Sequence, residues 1–175
     1  NIIIKKKIKS VFFAFEDPDL RTFKKAKKIL ESKGIKCKLI PTRNYSKFYK
    51  SYFLNRKKSQ PYVSAKIAIS KDYQTINMRY KWITNNHSRK VVHLLRSQHD
   101  CIISTSKTIN FDNARLNCRI DGLDNKKPDL FIIDLKLKLK KNLILNKLLN
   151  KRKTYLITLN KNYEKISFYK KLGYK

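Results

Sequence analysis

At 175 residues and 41% hydrophobic content, the chain can bury the core of one ordinary α/β domain, or of a partial domain joined to the tail of another, and is too short for two complete enzymes. Its apolar residues come in short blocks such as Val11 to Ala14, Cys101 to Ile103 and Leu130 to Ile133, none near the roughly 18 consecutive apolar residues that a membrane-spanning helix needs. The formal net charge of +31 is large enough for a polyanion binder, but the excess is mostly lysine, spread along almost the whole chain among Asn and Ile. That pattern describes a solvated surface and not a patch built for one partner.

Neither a nucleic-acid nor a membrane partner is therefore expected, although anionic phosphate ligands would be attracted. The opening residues Asn1 to Lys7 have neither the apolar stretch nor the small-residue cleavage site of a secretory signal. Cys37, Cys101 and Cys118 are odd in number and far apart, which suits a reducing cytoplasm better than a disulfide framework.

In chain order, Ser10 to Phe15 is an apolar run with β-propensity, and Glu16, Asp17, Pro18 and Asp19 supply a turn and an acidic helix start. Leu20 to Ser32 carries Phe23, Ala26 and Leu30 near helical spacing, and Gly34 stands where a helix end needs a left-handed residue. Ile35, Cys37 and Leu39 alternate with lysines, so a second strand completes a βαβ unit before Pro41. Tyr45 to Phe53 is aromatic and basic, with Phe48 and Phe53 as candidate buried residues. Asn55 to Gln60 is a polar stretch, where a domain boundary is placed: residues 1–57 before it and 58–175 after it.

From Tyr62 onward Val63, Ala65, Ile67 and Ile69 recur at every second position, predicting a new strand. Thr84 is the expected N-cap of a helix reaching Ser97, with Val91, Val92 and Leu95 inward and Arg89, His93 and Arg96 as a basic stripe on the other side. Cys101 to Ser104 and Leu130 to Asp134 read as strands. Leu135 to Lys140 alternates Leu with Lys as a strand or an extended edge. Ile144 to Leu149 reads as a short helix, Thr154 to Leu159 as a strand, and Ile166 to Leu172 as the start of a further element.

Several chemistries lack their residues. None of His87, His93 and His99 has a Glu two positions on, and no two cysteines lie close in sequence, so a zinc deaminase centre is absent. Gly34, Gly122 and Gly173 are too scattered for a phosphate loop, a dinucleotide fingerprint or a nucleophile elbow. What remains is a series of polar residues at strand ends and in loops, where α/β proteins place ligands.

In that series the segment Pro61-Tyr-Val-Ser-Ala-Lys-Ile-Ala-Ile-Ser-Lys-Asp72 resembles the first strand of the reductase domain of the riboflavin-pathway deaminase/reductase family. Lys81 to Thr84, Ser88 to Arg96 and His99 to Ile103 follow in the family's order, as do Thr108, Asp112, Leu116 and Arg119. Val11 to Asp19 and the next helix are similar to the last βαβ of the fused deaminase, beyond its zinc ligands. The resemblance implies an α/β chain: an incomplete dihydrofolate-reductase-like domain preceded by the end of a cytidine-deaminase-like domain. It further implies hydride transfer from NADPH to the ribose carbon of a phosphoribosylaminopyrimidine, zinc only in the deaminase part, and pairing of two chains through the reductase domain.

By the same resemblance Arg96 and Arg119 bind the sugar phosphate, a task suited to a planar guanidinium, and Leu116 adds a backbone or packing contact. Ala68, Trp82, Thr108 and Asp112 line the cofactor site, the last two in the loop after the Cys101 strand. From residue type alone the two arginines read as surface cations, Trp82 and Leu116 equally as core side chains, and Thr108 and Asp112 as loop caps. A basic nucleic-acid binder and a noncatalytic scaffold, its cleft filled by Tyr73 and Tyr80, are the competing classes.

Some positions depart from the family. Tyr73 replaces a usual Gly after Asp72, so its turn is expected to be made differently. The stretch between Thr75 and Trp82 is short, Tyr80 replaces a substrate-contacting Ser, and Leu135 replaces a cofactor-contacting Ser. No Glu-Gly-Gly loop precedes Lys175, which implies that this polypeptide alone is not a competent enzyme.

Overall fold

The computed structural model describes residues 2–42, 48–75, 82–123, 125 and 127–175, and divides into two units, residues 1–66 and 67–175. Tyr45, Tyr80 and Lys81, singled out above, lie outside the described residues, as does most of the short stretch before Trp82. No helix among the described residues is long and apolar enough to cross a membrane.

The first unit is the expected βαβ. A short helix α1 (Ile2–Lys5) leads to β1 (Ser10–Phe13), α2 (Lys25–Glu31) and β2 (Lys36–Leu39), the two strands pairing in parallel with Val11 opposite Cys37. Gly34, at φ 75°, closes α2: its N–H reaches Glu31 O at 3.0 Å and Ile35 N–H reaches Leu30 O at 3.1 Å, while Leu30 and Ile35 are buried. The helix starts later than its apolar spacing predicts. Asp17 and Asp19 take the backbone N–H groups of Asp19 and Arg21, both at 3.0 Å, and Lys24 turns left-handed at φ 55°. Such local carboxylate bonds compete with helix hydrogen bonding, and Phe23 is left exposed.

The polar stretch expected over Asn55 to Gln60 is instead mostly helix, α3 (Lys50–Lys58). It carries no apolar stripe for a periodicity reading to find, and polar anchors hold it. Tyr52 Oη donates to Asp17 at 2.7 Å, Arg56 lies 3.5 Å from Asp19, and Phe53 packs edge-on against Phe15. Phe48, a candidate core residue, is exposed.

The second unit is built on three parallel strands in the order β3 (Cys101–Thr105), β4 (Asp129–Ile133), β5 (Thr154–Ile157). Leu130 and Ile132 bury completely against Ile109 and Leu145, with Leu137, Leu139, Leu143 and Tyr169 around them. On the opposite face of the sheet Ile103, Ile133 and Ile157 are exposed, while Phe131 stacks on Tyr155 at 4.5 Å. Around the sheet run α4 (Asn86–Ser97), α5 (Ser106–Asp112), a 3-10 turn (Ile144–Leu148) and α6 (Tyr163–Leu172). The last closes at Gly173, φ 106°, where Tyr174 N–H returns to Tyr169 O at 3.1 Å.

Four readings from residue 61 onward need correction. Residues 61–70 form no ladder with any described strand, and Val63 and Ile67 are exposed; alternation marks a strand only where a neighbour supplies its hydrogen bonds. Asn85, not Thr84, caps α4, its side chain accepting from Ser88 N–H at 2.8 Å. Leu135 to Lys140 is neither strand nor edge: the Asp134 carboxylate takes the N–H groups of Lys138 and Leu139, folding the segment so that Leu137 and Leu139 turn into the core. Tyr73 itself adopts the left-handed conformation, at φ 61°, that a glycine would adopt freely. At 82% exposed, it fills no cleft.

Candidate functional site

α4 has a strongly amphipathic sequence, yet it does not bury its apolar side. Of the residues expected inward, Val91 and Leu95 are exposed, as is Leu94, while Val92 is half-buried, as are Arg89, His93 and Arg96. The expected outer basic stripe is thus the face that meets the rest of the unit. The meeting point is the loop 115–119 that follows α5. Arg96 Nη1 donates to Asn117 O at 3.2 Å, and Arg119 N–H donates to His93 Nδ1 at 3.2 Å, with Asn117 O 3.1 Å from the same nitrogen. His93 Nδ1 accepts from the Arg119 N–H when the ring is protonated at Nε2 alone, and donates to the Asn117 carbonyl when Nδ1 carries a proton. Burial, then Arg119 and Arg96, hold the His93 pKa below its ordinary value, against a smaller opposing effect of the Asn117 carbonyl.

The loop owes its course to Leu116, a non-glycine residue at φ 51°. Its carbonyl accepts from Arg152 Nη1 at 2.7 Å, and Arg152 Nη2 bonds the carbonyl of Arg115. Arg119 extends over Asn117, donating Nη1 to Oδ1 at 2.9 Å. Of the chain's nine arginines, four meet around these five residues: Arg96, Arg115, Arg119 and Arg152. Burial first, and then Arg119, lower the pKa of Arg96; burial and Arg115 lower that of Arg119; burial and Arg96 lower that of Arg152 to about 10. No described acidic residue forms a salt bridge with any of the four. Asp129 acts on Arg152 from beyond salt-bridge distance, and cations that crowd one another without a salt-bridged carboxylate make a site complementary to a multivalent oxyanion. An open cleft of about 500 Å³ lies along the loop, lined by Arg115, Arg119, Lys127 and Lys151, with Asp121 its one acid.

The structure therefore brings Arg96, Leu116 and Arg119 together, Leu116 contributing its backbone. The four residues expected at a cofactor are placed more loosely. Thr108 and Asp112 are not in a loop but one turn apart on α5, exposed on a common face; Thr105 caps that helix by accepting from Thr108 N–H at 3.3 Å. Trp82 is 56% exposed, with the Arg89 guanidinium 4.6 Å from its ring centre, and Ala68 is half-buried. These groups fit a nucleotide in chemistry: a hydroxyl and a carboxylate for ribose hydroxyls, and a flat ring with accessible surface. Among the described residues no group of three or more His, Cys, Asp or Glu is placed to hold a metal ion. Sequence reasoning missed Arg152. The one hint was an arginine set between Lys151 and Lys153 in a lysine-rich chain.

The second unit is thus a parallel α/β unit with a clustered-arginine loop after its first strand and helix. Solved structures share this fold: RibD of Acinetobacter baumannii at a TM-score of 0.79 and 23% identity, covering 99% of this chain and 49% of that one. The diaminohydroxyphosphoribosylaminopyrimidine deaminase/5-amino-6-(5-phosphoribosylamino)uracil reductase of Thermotoga maritima aligns at a TM-score of 0.75 and 23% identity, covering 92% and 46%. Residues 61–170 match the RibD C-terminal domain, and the chain belongs to that family. Among curated relatives, riboflavin biosynthesis protein RibD of Bacillus amyloliquefaciens is 34% identical over 139 residues, 78% of this chain and 37% of that protein. RibD of Chlamydia muridarum is 31% identical over 139 residues, 77% and 38%. The chain thus spans under two-fifths of the length of these two relatives.

Proposed function

We propose that the protein is the reductase part of a riboflavin-pathway deaminase/reductase, and that its 115–119 loop holds the phosphate of a phosphoribosylaminopyrimidine. The meeting of Arg96, Arg115, Arg119 and Arg152 with no salt bridge to a described carboxylate carries this reading, within the region matched to the family. In this reading residues 1–57, which contain the βαβ, would be the deaminase tail and linker, and 58–175 the reductase part, a division supported by the family match over 61–170.

In this reading Arg119, whose guanidinium has one hydrogen bond among the described residues, to Asn117 Oδ1, takes the phosphate oxygens, and Arg96 reinforces it from α4. Fixing the phosphate orients the sugar, and hydride transfer depends chiefly on holding donor and acceptor carbons in contact. Ala68, Trp82, Thr108 and Asp112 would hold NADPH, which when bound supplies the hydride; Asp112 and Thr108 would bind its hydroxyls and Trp82 would pack on a ring. The setting proposed is the cytoplasm, and the assembly a pair of chains.

Calorimetric titration of the chain with ribose 5-phosphate tests the phosphate site. Arg119→Ala and Arg96→Ala are each expected to weaken binding by about tenfold or more, the loss of a charge-assisted bond to phosphate, while ribose without phosphate does not bind. Parent-like affinity in both variants, or no binding by the parent, refutes the assignment. Quenching of the fluorescence of Trp82, the only tryptophan, on adding NADPH tests the cofactor residues, and its absence removes Trp82 from them.

A further inference from the structure

Arg152 is a buried cation in an unusual setting. It lies just before β5, is 7% exposed, and among the described residues makes no salt bridge, Asp129 acting on it only from a distance, and has a buried Nε with no hydrogen-bond partner. A buried guanidinium left in this state is costly unless it does something that a smaller or apolar side chain cannot. What it does is specific: its two terminal nitrogens bond two successive carbonyls, those of Arg115 and Leu116, across more than thirty residues of sequence. Those carbonyls stand at the entry to the left-handed turn at Leu116, φ 51°, a conformation that a leucine adopts only when its surroundings enforce it. Immediately beyond the turn, Asn117 and Arg119 present the groups that meet Arg96 and His93. Arg152 itself sits too deep to be the cation an outside anion meets first, and it is not among the residues lining the open cleft.

We propose that Arg152 is the positioning residue of the anion site: by clamping the carbonyls of Arg115 and Leu116 it enforces the Leu116 turn and so aims Arg119. The inference rests on the phosphate-site reading above and assigns that site a supporting residue from a separate segment of the chain. A planar fork can bridge two carbonyls in fixed geometry, whereas an ammonium is a point donor. Charge at position 152 is therefore not sufficient; the shape matters.

The test is a double-mutant cycle read by calorimetric titration with ribose 5-phosphate, with a melting curve for every variant. Arg152→Met is expected to weaken binding about tenfold. Because Arg152 acts through Arg119, Arg152→Met with Arg119→Ala is expected to bind no more weakly than Arg119→Ala alone, a non-additivity that general loss of structure does not produce. Arg152→Lys retains the charge and keeps the chain folded should the methionine variant not fold; it is expected to lose affinity several-fold at an unchanged salt dependence. Multiplying losses in the cycle, or parent-like affinity of Arg152→Lys, overturns the proposal. If Arg119→Ala itself binds like the parent, the phosphate-site reading has failed and not the clamp alone.

Discussion

Replacing Asp134 by alanine removes the device that folds the Leu135 to Lys140 segment into the core. Its side chain is 3% exposed and accepts from Leu139 N–H at 2.7 Å and Lys138 N–H at 2.9 Å. The Leu139 bond is buried, so alanine leaves that N–H without a partner; a bond to a charged group contributes about 1.5–3 kcal/mol. The Lys138 bond is partly exposed and water recovers some of it, adding about 1 kcal/mol. Relief of the carboxylate's desolvation offsets part of the total, for a net loss of about 3 kcal/mol. Asp134→Asn keeps one acceptor but turns an NH2 toward a backbone N–H, so it is expected to lose about 2 kcal/mol. Because the chain has two units, a single unfolding midpoint mixes them, and native-state hydrogen exchange at the Leu139 amide is the sharper assay. A change below about 0.5 kcal/mol at that amide in Asp134→Ala would refute the view that these two bonds hold the segment.

Tyr73 is 82% exposed at φ 61°, so Tyr73→Gly loses no packing and relieves a left-handed residue. Relief of about 1–2 kcal/mol, less about 0.4–1 kcal/mol for the freedom glycine gains when unfolded, leaves Tyr73→Gly more stable than Tyr73→Ala by about 0.5–1 kcal/mol in urea unfolding; equal stabilities would show the turn to be unstrained. His93, held below its ordinary pKa by burial and by Arg119 and Arg96, binds a proton more readily unfolded than folded. Its contribution to stability is complete above about pH 6.5, declines as the pH falls below that value, and levels off below the folded midpoint. An NMR titration is expected to place the His93 midpoint below 6.5 and to move it upward in Arg119→Ala. A midpoint that ignores Arg119 would contradict the geometry.

How much of this was legible in the sequence depends on whether the signal was local. The βαβ of the first unit was, because Gly34 must turn left-handed and the strands on either side carry compact apolar runs. Leu130 to Ile133 was, as a buried strand needs no partner's identity to be recognised. The helix at Lys50 to Lys58 was hidden, since its anchors Tyr52 to Asp17 and Arg56 to Asp19 are long-range polar contacts with no period. The Leu135 to Lys140 alternation misled for a related reason: two leucines at alternate positions enter the core equally from a strand or from a turn, and Asp134 decides which. At the site, motif order picked out Arg96, Leu116 and Arg119, but the half-buried orientation of the α4 basic stripe followed from Asn117 and Arg119, more than twenty residues away.

Composition carried one lesson of its own. In a chain with 43 basic residues a cation is uninformative as a charge, and the broad lysine surface mainly raises the local concentration of any anion. Arginine differs because it acts by shape. Arg152 bonds two carbonyls at once, Arg119 bonds Asn117 Oδ1 with one nitrogen of a fork that has others to offer, and Arg96 does the same with Asn117 O. An ammonium could supply the charge at each position but could not hold a carbonyl and an oxyanion in one plane. The proposed site is therefore defined by where arginine could not be exchanged for lysine, and Arg152, proposed to act through the loop and not on the ligand, belongs to it for the same reason as Arg96 and Arg119.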